Sequence, residues 1–107
     1  MSGGHFNYDQ YKIGYIAEAI EEELENQGKE IDAEELRFYS EEYLERHPEE
    51  RFHRTYSKEV QKIFKEAIRQ LKIAEIYATR IDWYLSGDDS AESMIKRLNK
   101  ELEKYGR

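Results

Sequence analysis

Two short segments carry the residue types best suited to holding a ligand. The first, residues 2–11, has two consecutive glycines followed by aromatic and polar side chains in alternation. Glycine lets a backbone approach a ligand closely, and aromatic rings stack on planar groups. The candidate ligand-binding residues here are His5, Phe6, Tyr8 and Tyr11. A frayed terminus in front of an ordinary tyrosine-rich helix explains the same residues without a ligand.

The second segment, residues 77–89, places one arginine among aromatic rings. At helical spacing Tyr77 and Tyr84 share a face with Arg80, and Trp83 lies next to that arginine. An arginine among rings suits stacking on a base or another planar ligand, so Tyr77, Arg80 and Trp83 are candidate contacts. The alternative is an aromatic core cluster in which Arg80 pairs with Asp82 or with a carboxylate of the first helix.

Five cations line one face of the helix that leads into the second segment. Lys58, Lys62, Lys65, Arg69 and Lys72 follow spacings of 4, 3, 4 and 3 residues, which is a helical stripe. Arg69 and Lys72 are nearest to the second segment and are predicted to contact a phosphate. The competing explanation is that the stripe pairs with the chain's own acidic helices, in exposed ion pairs that stabilise by about 0–1 kcal/mol each.

The sequence gives little support for catalysis or metal binding. The chain has no cysteine, which excludes disulfides, thiol nucleophiles and cysteine-ligated metal sites. Its three histidines, His5, His47 and His53, form no metal-binding pair on a helix. We therefore expect a protein that is not an enzyme, with no catalytic residue, no metal site and no cofactor. A small enzyme that uses His5 is a third and weaker hypothesis.

Charge is distributed unevenly along the 107 residues, whose formal sum is −7. Residues 18–50, the acidic segment, hold 14 acidic and 3 basic side chains, a balance of −11. Residues 51–107 hold 13 basic and 9 acidic side chains, a balance of +4. Such a chain would repel duplex nucleic acid, so we expect no duplex partner. Its acidic segment could instead occupy the nucleic-acid groove of a protein, although a solvated acidic face explains the same charges.

Helix formers dominate the chain, and its one proline, Pro48, leaves little to interrupt helices. Apolar periodicity and capping residues predict four helices: about 8–27 before Gly28, one that follows Asp32 and ends at His47, about 58–85 after Ser57, and one that begins at Asp89. The long helix has an apolar stripe at bundle spacing. Its members are Val60, Phe64, Ala67, Leu71, Ala74, Ala78, Ile81 and Leu85. The expectation is a single all-α domain, residues 1–107, folded as a small bundle of three to four helices.

The core of such a bundle would be small, because only 38% of the residues are hydrophobic. Many aromatic residues and apolar side chains on several sides of the long helix predict that some surface is shared with a second copy, most simply in a homodimer. Alternatively, the extra aromatic residues cover the short bundle internally. The N-terminus lacks a signal-peptide pattern and no apolar run approaches the length of a membrane span, so we expect a cytoplasmic protein without a membrane partner.

Two strings resemble a group of small, functionally unassigned proteins encoded by bacteria and their phages. They are SGGHFNYDQYKI (residues 2–13) and RIDWYLSGDDSAES (residues 80–93), which together cover about a quarter of the chain. The resemblance implies a cytoplasmic setting and carriage on mobile elements. Small proteins of that kind are often inhibitors, or sponges that sequester a signalling molecule from host defence.

The function predicted from these features is a non-enzymatic, dimeric binding protein. It would sequester a small anionic or nucleotide-like ligand between the N-terminal loop and the aromatic cluster, in a sponge-type anti-defence role. The alternative is an inhibitor or nucleic-acid mimic that binds a host protein target through the acidic surface of residues 18–50, or a structural interaction module.

Overall fold

The protein is an all-α chain organised around one long helix. The computed structural model describes residues 4–106, of which no part forms a strand, and helices make up 71% of the structure. Short 3₁₀ turns follow α3 (Pro48–Arg51) and α5 (Glu103–Tyr105). The α-helices are α1 (Gln10–Glu25), α2 (Ala33–Leu36), α3 (Glu41–Arg46), α4 (Lys58–Leu85) and α5 (Ala91–Leu102). The prediction of a mostly helical chain with one long helix over residues 58–85 is confirmed.

Serine side chains set the first residue of three helices. The Ser57 hydroxyl accepts the backbone N–H of Val60 at 3.2 Å, so α4 begins where the sequence predicts. The α5 cap is Ser90, which accepts the N–H of Ser93 at 3.1 Å, and the predicted start at Asp89 is one residue too early. Each hydroxyl satisfies a backbone donor that the first turn leaves without a partner.

The second predicted helix divides into two short ones. Asp32 caps α2 as predicted, with its Oδ1 at 3.4 Å from the N–H of Glu34. The helix ends at Leu36, and Ser40, in extended backbone, caps a new helix by accepting the N–H of Tyr43 at 3.1 Å. A serine hydroxyl competes with helix continuation in this way. The resulting α3 ends just before Pro48, as predicted.

Helix α4 is the spine on which α1 and α5 pack from two sides. Both helices run antiparallel to it: Gln10 at the start of α1 reaches Asp82 near the end of α4, whereas Glu21 reaches Lys72. On the other side, Glu101 near the end of α5 reaches Arg80. The apolar stripe of α4 is therefore not buried as a whole. Some of its members lie on the side that packs against α1, and others face solvent, where Ile81 is 39% and Leu85 50% exposed.

The arrangement is extended and does not close into a bundle. The Cα envelope measures 62 × 33 × 14 Å, and the radius of gyration of 19.6 Å compares with about 13 Å for a compact chain of this length. In residues 4–106, Ala17, Leu44 and Leu102 are the fully buried apolar side chains. None of the helices in this part of the chain combines the length and apolar character that crossing a membrane requires.

Candidate functional site

The N-terminal segment, residues 4–9, is anchored on a buried carboxylate of α4. Asp82, only 1% exposed, accepts the backbone N–H of Phe6 at 2.8 Å and the Gln10 side-chain amide at 3.3 Å. Gly4 has a φ of +64° and lies so close that a Cβ there would stand 2.7 Å from Asp82 Oδ2. The glycine thus provides the close backbone approach that the sequence suggests. Ser2 and Gly3, the other small residues of that motif, lie outside the described residues.

A shallow groove of about 500 Å³ runs beside this anchor. His5 and Phe6 line it, with their ring centroids 5.2 Å apart in an edge-to-face arrangement, and Ile13 and Ala78 form its apolar side. The Gln10 Oε1 atom, in a side chain that is 3% exposed, has no hydrogen-bond partner among the described residues. The groove is the part of the predicted ligand site that the N-terminal segment forms.

The tyrosines predicted in the first segment lie next to the groove without lining it. Tyr8 and Tyr11 stack on each other with centroids 6.1 Å apart, and both are exposed. Tyr77, from the second segment, is half-buried on α4. Their role in ligand binding stays a prediction.

Arg80 and Trp83 face α5, on a different side of α4 from the groove. The Arg80 Nε atom is 3.1 Å from Glu101 Oε1, without the alignment of a hydrogen bond, and the guanidinium lies 4.4 Å above the Trp83 ring. Arg97 approaches the same ring at 5.9 Å. Arg80 is only 8% exposed. Its ion-pair partner, Glu101, belongs to α5 and is neither Asp82 nor a residue of α1. The cluster therefore joins α4 to α5. The structure does not bring His5 and Phe6 into one cavity with Arg80 and Trp83.

The basic stripe on α4 is paired only at its C-terminal end. Lys72 Nζ lies 2.7 Å from Glu21 Oε1, and this hydrogen bond raises the pKa of Lys72. Arg69 donates to the carbonyl of Tyr105 at 2.9 Å and contacts Glu66 of its own helix at 3.4 Å. Within residues 4–106 the remaining cations form no ion pair; they are Lys58, Lys62 and Lys65. Pairing with the chain's own acidic helices therefore accounts for one stripe residue of the five.

A larger polar cleft, of about 680 Å³, lies where α1, α4 and α5 meet. Its lining carries charges of both signs. The ammonium groups belong to Lys72, Lys100 and Lys104, and the carboxylates to Glu18, Glu21, Glu75 and Glu101. Gly14 on α1 leaves the space that the Glu75 carboxylate occupies, and a Cβ there would overlap it. A side chain of α4 thus makes the close approach that this glycine allows.

Glu75 is the electrostatically strained member of the cleft. Burial raises its pKa above the ordinary value, the neighbouring Glu18 carboxylate raises it further, and Lys72 opposes both effects. In the described part of the chain, no group of three or more His, Cys, Asp or Glu side chains is arranged to hold a metal ion. The lysine and glutamate side chains that line the cleft can offer a ligand both cationic and anionic hydrogen-bonding groups.

The acidic segment displays aromatic side chains among its carboxylates. Tyr39 and Tyr43 stack with centroids 5.4 Å apart, and Tyr43 continues onto His47 at 4.5 Å. Phe38 is 80% exposed, with the Arg37 guanidinium 5.1 Å from its ring centroid. Leu44 is the buried apolar side chain of the segment. The sequence contains these aromatics, but their exposure follows from the division between α2 and α3.

Beyond the end of α1, which packs along α4, backbone pairing and one tyrosine attach this segment to the rest of the molecule. The N–H of Ile31 donates to Arg51 O at 2.7 Å, and the N–H of His53 donates to Lys29 O at 2.8 Å. The Tyr56 hydroxyl donates to Glu23 Oε2 at 2.7 Å, which raises the pKa of that tyrosine. The position of the segment is therefore set at its two ends, and its aromatic surface contributes little to holding it.

Three residues that matter in these sites escape a search for ligand-binding patterns. Asp82 and Glu75 occupy the α4 face that also carries Leu71 and Ala78, and a carboxylate on an apolar stripe is a usable signal. Phe38 gives no comparable signal, because its exposure depends on where α2 ends.

Comparisons with protein-family models, curated proteins and solved structures gave no match. The resemblance to small bacterial and phage proteins therefore stays a prediction.

Proposed function

We propose that this chain is a non-enzymatic binding protein that inhibits or recruits a protein partner through its acidic segment. The observation that carries the proposal is Phe38, a large apolar ring left 80% exposed inside a region with a balance of −11. A solvated acidic face needs no aromatic side chains. Exposed aromatic residues clustered with Tyr39 and Tyr43 are typical of the anchors that dominate protein interfaces.

The partner that fits this surface is a basic protein patch with an apolar recess. Carboxylates around the rings would steer a cationic partner and fix its orientation, while the rings would supply buried area. A nucleic-acid-binding protein has such a patch, so the acidic segment would act as a nucleic-acid mimic if it occupied that patch. In the described residues, four ion pairs involve α2, α3 and their flanks, and the carboxylate of each is more than two thirds exposed, such as that of Glu42, which pairs with Arg46 at 2.8 Å. Such local pairs leave the field of the segment strongly negative.

The experiment compares tagged chains as baits in extracts of the native cells. One variant changes four exposed glutamates of the segment to glutamine: Glu22, Glu25, Glu35 and Glu45. The matched control changes four exposed carboxylates elsewhere to their amides: Glu59, Asp88, Glu92 and Glu103. A true partner is recovered with the wild-type chain and the control, is lost with the segment variant, and dissociates as salt screens the contact. Equal recovery by all three chains contradicts the proposal.

A small anionic or nucleotide-like ligand is the second candidate, and the 680 Å³ cleft favours it. The volume is that of a small-molecule site. Lys100 and Lys104 could meet a phosphate, Tyr105 could stack on a base, and the carboxylates could accept its N–H groups. This moves the predicted site away from Arg80, and it keeps the sponge-type, anti-defence role as a proposal.

Thermal-shift measurements with nucleotides and cyclic dinucleotides test this candidate. A ligand that binds the folded chain at 100 times its Kd stabilises it by about 2.7 kcal/mol. The shift should disappear in the double variant Lys100→Ala and Lys104→Ala and persist in Lys58→Ala and Lys62→Ala, which lie outside the cleft. A panel that leaves the melting temperature unchanged contradicts the ligand hypothesis and leaves the protein-binding one standing.

A further inference from the structure

Helix α4 has three faces, and the described residues 4–106 pack against two of them. Residues that meet α1 or the N-terminal segment, such as Glu75 and Asp82, lie on one face. Residues that meet α5 and the turn after it, such as Arg69 and Arg80, lie on the second. At 3.6 residues per turn, the third face is rotated away from both. We call it the open face.

The open face carries a heptad pattern over most of α4. Spacings of 3 and 4 residues alternate without interruption, which is the pattern of a helix that packs along another helix. Its members are Val60, Ile63, Ala67, Gln70, Ala74, Tyr77, Ile81 and Tyr84. Several are apolar yet exposed: Ile63 is 65%, Ile81 39% and Tyr84 41% accessible. Five of its eight members are exposed in the described part of the chain, and the others, Val60, Ala67 and Tyr77, are half-buried.

The exposed area has the size that a dimer interface would remove. The chain exposes 8105 Å², whereas a compact monomer of 12.9 kDa would expose about 6,300 Å². The surplus of about 1,800 Å² falls within the roughly 1,000–2,500 Å² per subunit that permanent homodimers bury. An envelope only 14 Å thick between Cα atoms leaves room for a second layer of helices.

We propose that the open face binds the same face of a second copy, with the two α4 helices antiparallel and crossing near residue 72. In this register Ile63 packs on Ile81 of the partner subunit, and Gln70 packs on Ala74 of the partner subunit. Large side chains thereby meet small or matching ones in successive layers. Because the surface is complementary to itself, a twofold axis closes the assembly as a dimer.

Charge selects the antiparallel arrangement over the parallel one. The acidic segment lies at the N-terminal end of α4, where Tyr56 bonds Glu23 and Gln27. A parallel dimer would place two segments of −11 each side by side. The antiparallel dimer separates them along a molecule 62 Å long. It also turns each segment toward residues 72–107 of the partner subunit, in which 7 basic and 7 acidic side chains cancel.

Cysteine cross-linking tests both the dimer and its direction, because the natural chain has no cysteine. Ile63→Cys and Ile81→Cys chains, one of them tagged, are mixed and oxidised. The antiparallel register predicts a cross-link between the two different chains and none within either variant alone. Two copies of position 63 would lie about 27 Å apart in that register, far beyond disulfide reach. The control Ile16→Cys, 53% exposed on α1, should not cross-link.

Light scattering completes the test without a cross-link. The wild-type chain should show twice the 12.9 kDa mass of one copy, Ile63→Asp should shift toward a single copy, and Ile16→Asp should remain dimeric. A single-copy mass for the wild-type chain at all concentrations overturns the proposal, and so does cross-linking of Ile63→Cys with itself. The protein-binding function is tested separately, because the acidic-segment variants leave the open face unchanged.

Discussion

The two ends of α4 use charge in opposite ways. At its C-terminal end two charged groups are buried against partners in the chain: Asp82 holds the N-terminal segment and Arg80 holds Glu101 and Trp83. At the other end, the acidic segment leaves most carboxylates and several rings in water. Charge at the first end therefore holds elements of the chain together. At the second end the ion pairs of α3, such as that of Arg46 with Glu42, are exposed and local, and the proposed partner would recognise the carboxylates that remain in water.

Of the substitutions at the C-terminal end of α4, Asp82→Ala should lower the free energy of unfolding the most. The change leaves the Phe6 N–H and the Gln10 amide without their acceptor, and hydrogen bonds to a charged group contribute about 1.5–3 kcal/mol. We expect a loss of about 2–3 kcal/mol in the free energy of unfolding, measured in urea.

Asp82→Asn is the matched control for that loss. The amide keeps one oxygen for the Phe6 N–H. Its new N–H₂ group can donate to Gln10 Oε1, which has no partner among the described residues of the wild-type chain, once the Gln10 amide reorients. The loss should be clearly smaller than for Asp82→Ala. If Asp82→Ala loses less than about 0.5 kcal/mol, the carboxylate does not anchor the N-terminal segment.

Arg80→Ala should have the next largest effect, because it removes both the ion pair to Glu101 and the contact with the Trp83 ring. We expect a loss of about 1–2 kcal/mol. Arg80→Lys should lose nearly as much, since a lysine keeps the charge but not the planar group that stacks on the ring. Urea unfolding followed by Trp83 fluorescence measures both. Lys62→Ala, with no ion pair in the described part of the chain, should stay within about 0.5 kcal/mol of wild type.

The same contrast separates what the sequence predicts from what it does not. The bounds of α4, the Ser57 cap and the left-handed Gly28 and Gly87 follow from signals within a few residues. The contact of Phe6 with Asp82 joins residues 76 positions apart, and no local pattern encodes it. Likewise, the spacing of Arg80 and Trp83 predicts a cluster, but the partner that covers it comes from α5.

Glu75→Gln should stabilise the chain slightly, and only above acidic pH. The folded state raises the pKa of this carboxyl, so between its ordinary and raised values the folded chain binds more protons than the unfolded chain. Its contribution to stability is therefore lost as the pH rises through that window. At pH 7 the glutamine variant should gain less than about 1 kcal/mol, because the cleft is open to solvent, and the gain should vanish below the ordinary pKa.

Melting curves across pH measure this difference. Glu45→Gln, at an exposed position in α3, should show no comparable pH-dependent gain. A Glu75→Gln chain that melts like the wild type at every pH would mean that burial in the cleft costs the carboxylate nothing.

Phe38→Ala should have the smallest effect on stability and a large one on binding. The ring is 80% exposed, so its removal should change the free energy of unfolding by less than about 0.5 kcal/mol. If it anchors a partner, truncation should weaken binding of the protein recovered with the wild-type chain by about tenfold or more. Tyr15→Ala is the control, because that ring is 66% exposed on α1, outside the acidic segment. Calorimetric titration should separate the two variants, and equal affinities would show that Phe38 does not anchor the partner.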